Sequence, residues 1–453
     1  MDGERWRNPW CKLEPHPGAE RLVVVFSHIH EPKGRFSLYH SFRAVPAHRL
    51  FVNAPGNVWY RNGIPGLGDS VEQTAASLAL LASTLSPRTV VTAGCSMGGY
   101  AALLFGALLG ADAMLAFGPE TLLKLPGSRS GGWTRHLPES PYDDLLPILA
   151  QRPGGGRVSI LAGEADVIDL QCAVRVRHLP GVEARTLRGS GHEVAETLHR
   201  AGALRPLLED FVRDGRLPDS LPGEGSILTM PGAVDDLVEG RRLRLAGRRD
   251  EAAMRLRRCL SRYPDATPAH DDLGLIAAAH GDAAAAERHH RRAVSLSPRQ
   301  AGPQENLGLA LNAQKRFAEA EDALRRALEV FPAPQLRIPL GLSLWKQGRT
   351  DEAEEMLRAA LVANPRLAWA HFHLGEIAAG RGDHPGAEAA YRAAIARSPR
   401  NASFHHRLAL VLAAQGRTGE AVAALEEAIA VNPHNPGLRR ELHRLHDAAA
   451  LAA

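Results

Sequence analysis

Aromatic side chains make up only 5% of this 453-residue sequence, and it holds just four cysteines, Cys11, Cys95, Cys172 and Cys259. No two of these stand as a C-x-x-C pair, which argues against a zinc ribbon and against a secreted disulfide framework. The usage fits a reducing, cytoplasmic setting. A strong charge of either sign is missing too. Lys and Arg number 54 against 50 Asp and Glu, and the excess of four falls wholly after residue 230. Without a basic block, nucleic acid is not an expected partner. The opening MDGERWRNPW is charged and has no apolar core, so a signal peptide is not expected. One long uncharged run exists, Val90–Ala111, but glycines interrupt it and Asp112 bounds it, so no membrane span is expected. With 45% hydrophobic residues the chain has material for real cores, and its length suits two or three folding units.

The back half is periodic. Gly240, Gly274, Gly308, Gly341, Gly375 and Ala409 recur at steps of 33 or 34, and Ala252, Ala286, Ala320, Ala353, Ala387 and Ala421 follow twelve residues after each. Pro264, Pro298, Pro332, Pro365, Pro399 and Pro433 close the units. Small residues at fixed places let paired helices approach closely, and proline ends the second helix. The pattern resembles tetratricopeptide repeats: six over residues 233–433, then a capping helix over 434–453. The resemblance implies an all-α superhelix that binds a protein or peptide partner, with Asn312, Trp345, Trp369 and Phe372 as groove candidates. The aromatics could equally pack between repeats. The Lys and Asn clamp of chaperone-binding members is missing at the matching positions, which disfavours chaperone docking.

The front half alternates short β-branched runs with helical stretches. Strands are expected at 21–27, 49–53, 89–93, 113–117, 158–162 and 182–187, and helices at 70–85, 98–109 and 192–214. Such alternation predicts a mostly parallel sheet flanked by helices, with ligand chemistry at the carboxyl ends of the strands. At one such end lies Gly94-Cys95-Ser96-Met97-Gly98-Gly99, between a strand and an apolar helix. Side chains at Gly94 or Gly98 would collide where strand and helix pass. Gly163-Glu164-Ala165-Asp166 follows a later strand, and Gly189-Ser190-Gly191-His192 follows the last.

A serine elbow, then an acid, then a histidine, each at a strand end, resembles the α/β-hydrolase family over about 190 residues, in a compact version with few early strands. The resemblance implies Ser96 as nucleophile, His192 as general base and a carboxylate to orient it. Asp166 is favoured for that acid, with Asp169 and Glu164 as alternatives. The implied oxyanion donors are the Met97 N–H and one from Ser27 or His28. Trp59, Tyr60 and Trp133 are candidates for the pocket rim, residues 119–156 for a lid, and residues 216–232 for a linker after a 1–215 domain. No metal or cofactor is expected, since neither a third histidine nor a carboxylate cluster accompanies His28-x-His30. The leading expectation is a serine hydrolase acting on a small-molecule or acylated ester or thioester, joined to an interaction module. An acyltransferase using the same residues and a catalytically idle binding scaffold are the alternatives.

Overall fold

The computed structural model describes residues 6–452. The chain divides into two compact units, Met1–Ile276 with Arg292–Arg299, and Ala277–Arg291 with Gln300–Ala453.

Unit one is built on an eight-stranded sheet in the order β1-β2-β4-β3-β5-β6-β7-β8. The strands are β1 (Arg7–Asn8), β2 (Cys11–Glu14), β3 (Arg21–Phe26), β4 (His48–Val52), β5 (Thr89–Cys95), β6 (Ala113–Phe117), β7 (Arg157–Gly163) and β8 (Val182–Leu187). From β4 to β8 the pairing is parallel, whereas β1 and β2 form an antiparallel edge. All six expected strands are present. Strands β1 and β2 were not expected: β1 has two residues, and the alternation of β2, Cys11-Lys12-Leu13-Glu14, covers only four. The early part of the sheet is therefore fuller than the compact version anticipated.

Helices cover both faces: α1 (Tyr39–Phe42), α2 (Val71–Leu85), α3 (Met97–Leu109), α4 (Arg129–Thr134), α5 (Leu145–Ala150), α6 (Val167–Val176), α7 (Val194–Arg200) and α8 (Leu204–Asp214). Along β3 the side chains alternate. Leu22, Val24 and Phe26 enter one core with α2, α3, α5 and α6. Val23 and Val25 enter the other with α1, α7 and α8. The uncharged Val90–Ala111 run is the interior strand β5, a glycine turn and the buried α3. No helix among the described residues is long and apolar enough to cross a membrane. The single helix expected over 192–214 is two, broken at Gly202, whose φ of 69° leaves the helical region.

Residues 216–232, expected as a linker, are packed. Leu217 and Leu221 join the core against α8, while Ile227 and Leu228 join the opposite one. The segment leads into α9 (Ala233–Leu245) and α10 (Arg249–Arg262), whose Leu237 and Leu256, with Tyr263 just past α10, share the core of α3 and α6. The first helix pair is thus part of the α/β unit's own packing.

The remaining helices are α11 (Thr267–Ala279), α12 (Ala283–Leu296), α13 (Ala301–Ala313), α14 (Phe317–Val330), α15 (Arg337–Lys346), α16 (Thr350–Ala363), α17 (Ala368–Gly380), α18 (His384–Arg397), α19 (Ala402–Ala414), α20 (Thr418–Val431) and α21 (Pro436–Ala452). The last falls where the cap was expected, while residue 453 lies outside the described residues. The repeating small residue has a measurable cause. A Cβ at Gly308 would stand 2.6 Å from Leu324 Cγ, and one at Gly375 would stand 2.7 Å from Tyr391 Cε1. Real Cβ contacts do not come so close.

A second periodic device joins neighbouring repeats in unit two. Glu287 receives Arg291, Gln314 and Arg316; Glu321 receives Arg325, Gln347 and Arg349; Glu388 receives Arg392, Gln415 and Arg417. Its sequence signal is a Gln-x-Arg about 27 residues after a glutamate.

Candidate active site

Parallel strands leave β3 in both directions, toward β4 and toward β5, so the switch point of the sheet lies between β3 and β5. Ligand sites of such sheets form there, at the carboxyl ends. Ser96 occupies that position as the residue between β5 and α3, with φ 54° and ψ −120°. A non-glycine residue held in the left-handed region carries strain that its surroundings must over-determine. Those surroundings are the two glycines. A Cβ on Gly94 would fall inside the Gly98 carbonyl, and one on Gly98 inside the Phe26 carbonyl. Strand and helix therefore pass backbone to backbone, as the sequence implied.

Ser96 is buried and its N–H donates to the Phe117 carbonyl at 2.8 Å. Met97 begins α3, so its N–H has no intrahelical acceptor. The other expected donors are already engaged. Ser27 N–H bonds the Val52 carbonyl at 2.9 Å, extending the β3–β4 ladder, and His28 N–H bonds Ser37 Oγ at 3.0 Å. Neither is free to receive an oxyanion here.

His192 lies at the end of the loop after β8. Its Nδ1 meets Asp169 Oδ1 at 2.9 Å and Oδ2 at 3.0 Å, while its buried Nε2 has no partner. The expected acid was Asp166, and the structure places Asp169 there instead. The reason is local. Asp166 is the N-cap of α6, its Oδ1 accepting the Asp169 N–H at 2.9 Å, which turns the third residue of the helix inward. An Asp directly before an apolar helical run is itself an N-cap signal, and it was available in the sequence. Glu164, the other alternative, is buried elsewhere. It accepts from Thr186 Oγ1 at 2.9 Å, Ile227 N–H at 3.0 Å and the Tyr263 hydroxyl at 2.6 Å, tying the 216–232 segment and α10 to the sheet.

The histidine–aspartate pair and the serine flank one peptide. A Cβ on Gly118 would stand 2.8 Å from Asp169 Oδ2 and 2.9 Å from His192 Nδ1. Ser96 is bonded to Phe117, the residue before it. Burial pushes the Asp169 carboxyl up, helped by the charge of Asp166 and opposed by His192, to about 6. Burial pulls His192 down, but the charge and hydrogen bond of Asp169 outweigh it, and the imidazole ends above its usual value. Asp166 is likewise desolvated, yet Arg129 and His192 hold it below the ordinary carboxylate range.

Asp166, Asp169 and His192 offer ligand atoms within 4.8 Å of one another. A guanidinium sits among them, with Arg129 Nη2 at 2.6 Å from Asp166 Oδ2. That placement supplies the positive charge a cation would otherwise bring. The rim expectations divide. Trp59 and Tyr60 are fully buried, and the Tyr60 hydroxyl donates to the Ser27 carbonyl at 2.9 Å, so both belong to the core. Trp133 is exposed and packs edge-on against His30, ring centroids 5.3 Å apart. Arg129 and Trp133, four residues apart on α4, carry the 119–156 segment from the carboxylates to the loop after β3. A 640 Å³ groove lined by Arg157, Glu183 and Arg216 lies at the opposite ends of β7 and β8, away from these residues.

Two sequence profiles of the tetratricopeptide-repeat family match the chain, one over residues 272–335 and 338–402, the other over 378–436. The C-terminal half carries tetratricopeptide repeats. Among solved structures the chain is similar to pilF of Pseudomonas aeruginosa, at 18% identity and TM-score 0.40 over 47% of this chain and 97% of that one. It is similar to PilW, a widely conserved type IV pilus biogenesis factor, at 20% identity and TM-score 0.43, over 47% and 99%. YrrB, a repeat protein with an unusual peptide-binding site, matches at 18% identity and TM-score 0.31, over 42% and 97%. No curated protein matches.

Repeats of this family are interaction scaffolds, which suggests protein partners. Of the groove candidates, Trp369 is exposed and Trp345 half-buried beneath Lys346, whose Nζ is 3.9 Å from the ring centroid. Phe372 instead packs in the core between Trp369, Tyr391 and Phe404. Asn312 is spent on its neighbour, donating to the Pro339 carbonyl at 3.2 Å and accepting from Ser343 Oγ at 2.8 Å.

Proposed function

We propose that the α/β unit is a serine hydrolase of the α/β-hydrolase type, acting on an ester or thioester, and that the repeats are its module for protein partners. The observation that carries this is the strained Ser96 at the head of α3, set beside the Phe117–Gly118 peptide against which the His192–Asp169 pair packs. Such a turn raises a serine hydroxyl over the sheet at a helix N-terminus. In this reading Ser96 Oγ attacks the acyl carbon, and its proton passes to His192 Nε2, the buried nitrogen left without a partner. Asp169 fixes the tautomer by accepting from Nδ1 and stabilises the imidazolium. The Met97 N–H and the α3 dipole face the developing oxyanion. Collapse expels the alcohol or thiol, which takes the proton from His192. Water then repeats the sequence on the acyl-enzyme and releases the acid. An alcohol acceptor in place of water would make the same residues an acyltransferase, which product analysis with acceptors present distinguishes. The 119–156 segment, through α4, is the lid of this site.

A second reading is a binding scaffold whose α/β unit is catalytically idle. It is favoured by the family profiles, which fall entirely on the repeats. A fluorophosphonate probe and a short-chain p-nitrophenyl ester separate the two. We expect labelling and turnover in the intact chain and the loss of both in Ser96→Ala. Labelling that persists in the variant, or none in the parent, would leave the scaffold standing.

A further inference from the structure

The 119–156 segment does more than cross the site. Glu120, buried at 1% exposure, accepts the Arg129 N–H at 2.9 Å and the Ser130 N–H at 3.1 Å, and Ser128 Oγ accepts the Gly131 N–H at 3.0 Å. These bonds fix the start of α4 and hence the direction of Arg129. Its guanidinium reaches Asp166 Oδ2 at 2.6 Å and comes within 3.8 Å of Asp169 Oδ1. Two carboxylates three residues apart thus face one imidazole, one as helix cap and one as its partner. Like charges that close oppose joint ionisation, and a cation between them relieves the conflict. Arg241 on α9, the first repeat helix, also feels the charge of Asp166. It bonds Asp272 at 2.8 Å, Arg244 bonds the same carboxylate at 2.9 Å, and Asp271 adds further negative charge.

We propose that Arg129 is a positioning residue for the His192–Asp169 pair: by neutralising Asp166 it lets Asp169 remain the ionised partner of His192 while Asp166 continues to cap α6. This rests on the roles given to His192 and Asp169 above. Removing the guanidinium takes from Asp166 the cation bonded to it. Asp169 then holds its proton to higher pH, and His192 loses a repelling neighbour, so both titrations move upward.

The test uses the full chain labelled with ¹³C-histidine, the His192 signal being assigned by its loss in His192→Gln, alongside the pH profile of fluorophosphonate labelling. In Arg129→Met, the His192 titration and the acid limb of labelling are expected to move up by about 1 pH unit. Arg129→Lys, which keeps the charge, should stay within about half a unit of the parent. Arg129→Met combined with Asp166→Asn removes both charges, keeps a capping side chain, and should return the titration to the parent value. A merely structural role for Arg129 would leave the double variant as displaced as the single one, and that result, or no displacement in Arg129→Met, overturns the proposal. The titration reads out whether or not an ester is turned over. An inactive Ser96 with a shifted His192 would therefore count against the hydrolase alone.

Discussion

The two halves of the chain encode their contacts at different range. In the repeats, partners sit at a fixed offset: Gly308 meets Leu324, and Glu287 meets Gln314 and Arg316. The same spacing recurs from unit to unit, so each helix pair is specified by its own segment and the next. In the α/β unit, partners are irregular. Arg129 reaches Asp166, 37 residues on, and Tyr263 reaches Glu164 across 99. Periodic contacts make a structure legible from one repeat. Aperiodic ones make a site that depends on which of two near-equivalent residues the fold turns inward.

The sharpest test of that difference is the pair of aspartates. Asp169→Asn should lower Ser96-dependent turnover by about 10³–10⁴-fold, since the amide no longer fixes the imidazole tautomer. Asp166→Asn retains a cap and should cost less than about 10-fold. The pH dependence has a definite sign. His192 titrates above its ordinary value because Asp169 favours the imidazolium, and the proposed base is the neutral ring. Activity in the parent should therefore fall as pH drops through that raised value, and Asp169→Asn should move the limb to lower pH while lowering the plateau. Equal losses in the two variants would erase the distinction between them.

A smaller effect is expected in the repeats. Gly308→Leu forces a side chain into Leu324 and should cost about 2–3 kcal/mol, read as a lower melting temperature of a repeat transition in calorimetry, with Ser96 labelling unchanged. A parallel loss of labelling would show that the halves are not separately encoded. The smallest effect has the opposite sign. Ser96→Gly releases a left-handed non-glycine residue and should raise stability by about 1 kcal/mol in denaturant titration while abolishing labelling. An unchanged midpoint would mean that the turn stores no strain.

Much of the architecture was legible beforehand. The six parallel strands, the repeats and the two glycines of the turn follow from periodicity and from residues whose side chains would collide. The missed features were short or non-local. β1 has two residues and the alternation of β2 covers only four, and the packing of 216–232 depends on Glu164 accepting the Ile227 N–H, 63 residues away. Trp59 and Tyr60 looked like rim residues because they are aromatics after a strand. Both have positive φ, 53° and 57°, in a loop that turns them into the core.

The sequence by itself determined the sparse cysteine and aromatic usage, the repeat period, and the placing of Ser96 and His192 at strand ends, because each is a property of neighbours along the chain. Only the tertiary structure decided that Asp169 rather than Asp166 meets His192, that Arg129 stands between the two carboxylates, and that Ser27 and His28 have their N–H groups already bonded. Those outcomes depend on how one helix is capped and on which distant backbone reaches a donor first, and neither has a period to read.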